Sequence, residues 1–330
     1  MVSRPPYDLS SLKSDFKNFN KFLLSLVIII TATLVCMILF YFSEKNYTPN
    51  DSSEPTVTVT EKNLVNNSEF EKTKEKSSFI DLTETLKDWQ ATLSDNVRAG
   101  VIVYDLDNDK VAGEFNSNEI FSTASLYKLF VVYAGYEKVE KNEWNKTEKL
   151  LGGKTIEECL DAALRSSDST CAELLVDKIG EPKLDEIVHE TYNLKTTFSD
   201  YSSTPTEIMK MLKIYYEHQN LSAETYAKIL DSMLNQPKTD SEELCSGTCD
   251  WRMGLPSGFS ESVKVYNKVG WHASENVWEI YNDAAILSLE DLKRNYLIVV
   301  MTENLPVETS KSNISALNSL AKNLEAKLRE

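Results

Sequence analysis

Residues 121–130 read Phe121-Ser-Thr-Ala-Ser125-Leu-Tyr-Lys128-Leu-Phe130, and Val-Val-Tyr-Ala-Gly-Tyr136 continues them without a polar break. An apolar run of this length predicts a buried helix from Ser125 to Glu140. Ser125 and Lys128, three residues apart at its start, then share one face. A serine there meets free backbone N–H groups and the positive end of the helix dipole, and both favour negative charge developing on an oxyanion. A buried lysine one turn on sheds its proton readily and can serve as base for the hydroxyl. Taken alone the spacing is weak evidence, because an N-cap serine with an ordinary helical lysine reads the same way.

Two further clusters give it weight. The second is Ser166-Ser167-Asp168-Ser169-Thr170, followed by Ala172-Glu-Leu-Leu-Val; the third is Lys268-Val269-Gly270, with Asn282-Asp283-Ala-Ala-Ile-Leu leading the next strand. In order and spacing the three resemble the serine β-lactamase/penicillin-binding superfamily, marked by Ser-x-x-Lys, Ser-Asp-Asn and Lys-Thr-Gly. The surroundings are similar to class A β-lactamases and their relatives: an early hairpin, Thr204-Pro205 opening a helix, and a terminal helix. The resemblance covers about residues 80–330. It implies that Ser125 is the acylated nucleophile and Lys128 its base or proton relay. Ser167 would pass the proton to the leaving group, and Lys268 would supply positive charge beside Ser167 and a substrate carboxylate. The implied oxyanion hole is the pair of backbone N–H groups of Ser125 and Trp271. Ser169, Val269, Gly270 and Trp271 would line the substrate side.

The chain departs from the family pattern in three places. Ser169 stands where an Asn amide normally contacts both the lysine and the substrate, and a hydroxyl is shorter with fewer fixed hydrogen bonds. Val269 replaces the Thr or Ser whose hydroxyl bonds the substrate carboxylate. One lost hydrogen bond to a charged group costs about 1.5–3 kcal/mol, roughly ten- to hundredfold in binding. The loop that carries the deacylating glutamate of class A enzymes is absent, since Tyr192 to Thr204 is too short to hold it. Glu181-Pro182-Lys-Leu184 mimics its wording but comes too soon after Ser167 and reads as a helix start; Glu173 also reads as a helix residue. Efficient β-lactam hydrolysis is therefore not expected.

Around the clusters the pattern alternates. Asp81 to Leu93 has helical spacing, Ala99 to Asp105 is strand-like, Asp107-Asn108 marks a tight turn, and Lys110 to Phe115 returns as the other half of a hairpin. Mostly helical stretches run to about Met233. Strands come back at Val263 to Lys268, Trp278 to Leu287 and Tyr296 to Thr302, before an amphipathic helix from about Ser310 to Leu328. The expected class is α+β: an antiparallel sheet built from both chain ends, flanked by helices, with a large all-helical insertion.

The N-terminal part has a different character. Phe22 to Phe42 is an almost unbroken apolar run, and about 20 residues cross the ~30 Å hydrocarbon core of a bilayer. Arg4, Lys13, Lys17 and Lys21 precede it, while only Lys45 follows closely, beside Glu44. The positive-inside rule places the N-terminus in the cytoplasm and the rest outside. The run is too long for a usual signal-peptide core and no small-x-small site follows, so an uncleaved anchor is expected. The expected order is a cytoplasmic tail (1–21), a transmembrane helix (22–42), a polar tether (43–78) and the folded domain (79–330).

An outside location permits disulfides. Cys245-Ser-Gly-Thr-Cys249 resembles a small closed loop, and Cys159 with Cys171 could form a second pair, although spacing alone does not fix connectivity. A formal net charge of −16 on 330 residues, with no basic stripe, argues against a nucleic-acid partner. The three histidines, His189, His218 and His272, lie far apart and in no metal-ligand spacing, so neither a zinc site nor a His-based triad is expected. No cofactor is implied. The reading that follows is a membrane-anchored serine hydrolase acting on cell-wall peptide or a related small acyl substrate. A silent β-lactamase-like domain that binds a wall polymer or protein is the alternative.

Overall fold

In the computed structural model the described residues are 78–241, 247–272, 280–305 and 314–330. The expected membrane span, the tether before Ser78 and Cys245 lie outside them. Within them, no helix is long and apolar enough to cross a membrane.

Five strands form the main sheet: β1 (Arg98–Asp105), β2 (Lys110–Phe115), β7 (Val263–His272), β8 (Ile280–Leu289) and β9 (Arg294–Glu303). Their order is β2-β1-β9-β8-β7, every neighbouring pair antiparallel. Strands from the beginning and the end of the folded region thus meet in one sheet, and β7 is left at an edge. Period-two alternation sorts the side chains. Val101, Val103, Ala285, Leu287, Ile298 and Val300 point to one face, and Ile102, Ala284, Ile286, Leu297 and Val299 to the other.

The first face is covered by two helices, α1 (Thr83–Gln90) and the terminal α8 (Ser315–Leu328), through Leu86, Trp89, Leu317, Leu320 and Leu324. Trp89 Nε1 ties them together by donating to the Ala316 carbonyl at 2.7 Å. Both helices are shorter than the sequence pattern suggested, whereas β7 runs four residues beyond Lys268, to His272.

The opposite face carries the helical layer: α2 (Lys128–Glu140), α3 (Ile156–Arg165), α4 (Ser169–Ile179), α5 (Glu181–Glu186), α6 (Pro205–Glu217) and α7 (Ala223–Leu234). α2 is its centre. Every residue from Lys128 to Glu137 is buried, as an unbroken apolar sequence requires. The outer helices start where side chains cap them. Thr155 and Glu158 form a reciprocal capping box at α3, and Thr204 caps α6 with Pro205 in the first turn. Glu181 opens α5 as its wording suggested. A short ladder of β3 (Phe121–Ser122) on β4 (Ser202–Ser203) joins the entry of α2 to the segment before α6. A second ladder pairs β5 (Lys238–Ser241) with β6 (Gly247–Asp250).

Candidate active site

The site forms where the helical layer meets the open edge of the sheet. Ser125 does not sit on the α-helix itself. It lies in a single 3₁₀ turn, Ala124–Tyr127, from which α2 continues at Lys128. Ala124 enters the turn at φ +41, a left-handed backbone that alanine adopts only when its surroundings impose it. Those surroundings are visible. Thr123 donates through both N–H and Oγ1 to the Tyr201 carbonyl (2.8 and 2.7 Å), and Asn282 Nδ2 donates to the Ser122 and Thr123 carbonyls (2.8 and 3.2 Å). Ser125 is half-buried, and its hydroxyl has no hydrogen-bond partner among the described residues.

Lys128 is fully buried, and its Nζ is directed at the second cluster. It donates to the Ser167 carbonyl at 2.5 Å and to Ser169 Oγ at 3.1 Å, with Ser167 Oγ at 3.4 Å. Ser167 itself has φ +56 and stands in the short link between α3 and α4. A disulfide between Cys159 of α3 and Cys171 of α4, Cα atoms 4.8 Å apart, closes that link into a ring. Asp168 caps α4 by accepting from the Cys171 N–H at 2.9 Å, and its other oxygen pairs with Lys154 at 2.7 Å. Cys171 is thus spent on the bridge with Cys159, one of the two pairings the sequence suggested; the other rests on Cys245, outside the described residues.

From the sheet edge, Lys268 reaches the same serine. Its buried Nζ donates to Ser167 Oγ at 2.8 Å and to the Val269 carbonyl at 2.7 Å. Gly270 follows, opposite Asn282 in the ladder. A Cβ at Gly270 would lie 2.4 Å from the Thr123 carbonyl and 3.1 Å from the Leu126 nitrogen. The strand therefore runs hard against the serine turn, and only glycine fits there.

The side chains of Val269 and Trp271 face away. Val269 is 1% exposed in the core on the α1–α8 side, and the Trp271 ring packs on Trp251 and Tyr281 at centroid distances of 5.4 and 6.0 Å. Only their backbones border the site, because alternation along β7 sends odd-numbered residues to the back face: Val269 offers the substrate side no side chain, while the role implied for Trp271 needs only its N–H. His272 is exposed at the strand end. Sequence reasoning gave no role to Asn282, Thr123 or Tyr201, which hold the serine turn. An Asn inside an otherwise apolar strand is the signal that could have singled out the first.

Two buried ammonium groups share one hydroxyl here, and the electrostatics follow from that. Burial pulls Lys128 down to about 8, although the charges of Asp168 and Glu173 resist. Lys268 is pushed well below the ordinary lysine value by burial and by the charge of Lys128, with Asp283 opposing. Behind the strand, burial raises the Asp283 carboxyl to about 7 despite hydrogen bonds from Asn267 Nδ2 (2.9 Å) and the Leu255 N–H (3.0 Å). A neutral lysine within this cluster is a base. Among the described residues no three His, Cys, Asp or Glu side chains converge as a metal set.

The model of the beta-lactamase enzyme family matches residues 81–327. The chain belongs to that family. A β-lactamase of Bacillus subtilis (strain 168) is 26% identical over 202 residues, covering 54% of this chain and 62% of the relative. The chain thus spans less than two thirds of that relative's length. Among solved β-lactamase-family folds, the structure of PBP-A superposes with a TM-score of 0.60 at 15% identity, covering 76% of this chain and 97% of that one. A β-lactamase from Xanthomonas campestris pv. campestris gives a TM-score of 0.62 at 17% identity, covering 76% and 99%. At such identities these likenesses establish the fold.

Proposed function

We propose that the chain is a membrane-anchored, extracytoplasmic serine hydrolase that works through an acyl-enzyme on Ser125. The observation that carries the reading is the convergence of Lys128 and Lys268 on Ser167 Oγ beside the serine turn. In the proposed reaction Ser125 Oγ attacks the carbonyl carbon of an amide or ester, and neutral Lys128 takes the hydroxyl proton. The N–H groups of Ser125 and Trp271 stabilise the oxyanion. As the intermediate collapses, the bond to the leaving group breaks, and Ser167 delivers a proton to it from the Lys128 side. The acyl group stays as an ester on Ser125. The substrate class that fits is a carboxylate-ended acyl peptide such as the D-Ala-D-Ala end of cell-wall peptide, with residues 22–42 anchoring the domain beside the wall.

Intact mass after incubation with benzylpenicillin tests this directly. Wild-type protein gains one penicillin mass, and Ser125→Ala gains none. A second reading, a silent module presenting its groove to a wall polymer or protein, is favoured by Ser169, whose hydroxyl is held by Lys128 Nζ at 3.1 Å and offers a substrate no amide. Absence of any adduct together with no consumption of benzylpenicillin would select it.

A further inference from the structure

Resting on the acyl-enzyme reading, we propose that Glu173 is the general base that activates water to release the acyl group from Ser125. It takes over, from a helix, a task for which the chain has no loop. Glu173 lies on α4 four residues after Ser169, hence one turn along the same helix face. Ser169 Oγ is itself bonded to Lys128 Nζ at 3.1 Å, so that face looks onto the site. The charge of Glu173 acts on Lys128, on Tyr127 of the serine turn and on Tyr201. Tyr127 and Tyr201 meet edge-on with ring centroids 4.7 Å apart, and Tyr201 supplies the carbonyl that anchors Thr123. Helix periodicity and these interactions together put the carboxylate on the side of α4 turned toward Lys128 and the two tyrosines.

Three other acids of the helical layer are held by partners of their own. Asp168 caps α4 and pairs with Lys154, Asp185 accepts from the Phe198 N–H, and Glu207 accepts from the Lys195 N–H and pairs with Lys210. Glu181 and Asp177 also act on Tyr201, but of these three acids only Glu173 acts on Lys128 as well. Glu173 is exposed and has neither a hydrogen bond nor an ion pair among the described residues. A carboxylate with free lone pairs, open to water and one helix turn from the serine that bonds Lys128, has the attributes of a general base.

The step balances without a further reactant. Water oxygen bonds to the acyl carbonyl carbon as one of its protons passes to Glu173. The tetrahedral intermediate then collapses, the carbon–Oγ bond breaks, and the Ser125 oxygen recovers a proton as Glu173 returns to carboxylate. A carboxylic acid leaves.

The test compares full-length wild type, Glu173→Gln and Glu173→Asp, each acylated with benzylpenicillin and followed by intact mass. General acid–base groups contribute roughly 10²–10⁴-fold. The adduct on Glu173→Gln should accordingly last at least tenfold longer than on wild type, with acylation changed less than about threefold, and Glu173→Asp should fall between. Equal adduct lifetimes in wild type and Glu173→Gln overturn the proposal. So does a parallel fall in acylation and deacylation, because a residue that only tunes Lys128 acts on both steps. An adduct seen on Glu173→Gln but too short-lived to catch on the wild type supports the proposal; if neither protein forms an adduct and no benzylpenicillin is consumed, the acyl-enzyme reading itself fails, and this inference with it.

Discussion

Asp283 is an acid placed where an acid is costly, and the cost can be measured. It sits on β8 with 0% exposure, and its two oxygens accept one hydrogen bond each, from Asn267 and the Leu255 backbone. Burial raises its pKa from 3.8 to about 7. The difference is about 3 units, and at 1.36 kcal/mol per unit the ionised form disfavours the folded state by an order of 4 kcal/mol. The sign follows from the direction. A carboxyl whose folded pKa is raised contributes its stability in full below about pH 4, and that contribution is lost as pH rises through 7. Asp283→Asn removes the titration while keeping an acceptor for Leu255. The stability of the variant relative to wild type should therefore climb between pH 4.5 and 7.5 by about 3–4 kcal/mol. Urea unfolding at several pH values measures it as a difference, which cancels the carboxylates common to both proteins. A difference that stays level across this range would mean that Asp283 titrates alike folded and unfolded, and the reasoning would fail.

Other outcomes follow from the same geometry. If Lys128 is the base, benzylpenicillin acylation should rise about tenfold per pH unit and level off near pH 8, where burial has placed that lysine; a profile flat from pH 6 to 9 would exclude it. Gly270→Ala puts a Cβ 2.4 Å from the Thr123 carbonyl, about 1 Å inside ordinary contact, and the strand must part from the serine turn. Acylation should drop about hundredfold, and urea unfolding should show a loss of roughly 1–3 kcal/mol. Acylation at the wild-type rate would show that the turn does not lean on β7.

Much of this was legible before any coordinates. Strand alternation, the capping residues of α3 and α6, and the unbroken apolar stretch after Ser125 are local signals, and local signals survive folding. The side-chain directions along β7 were legible too: Val263, Val265, Val269 and Trp271 all occupy odd positions of a half-buried strand, so Val269 had to face the core. Weighing Val269 against a family hydroxyl obscured that simpler pattern. Other features depend on distant partners. The 3₁₀ turn at Ser125 is imposed by Asn282 and Tyr201, both remote in sequence. Asp283 reads as an ordinary strand-end acid until five strands bury it. Whether Glu173 faced solvent alone or also the site depended on how α4 sits against Lys128.

The disulfide has a mechanical consequence. Cys159–Cys171 makes the link bearing Ser167 a closed hoop, whose span is fixed by covalent geometry rather than by the packing of α3 on α4. If the helical layer shifts against the sheet, the hoop travels as one rigid jaw. The give must come at the hydrogen bond of Lys268, which reaches Ser167 from the sheet, because Lys128 belongs to the helical layer and moves with the hoop. The two borders of Ser167 are thus joined in different ways, covalently around the hoop and by a single hydrogen bond across the seam to the sheet.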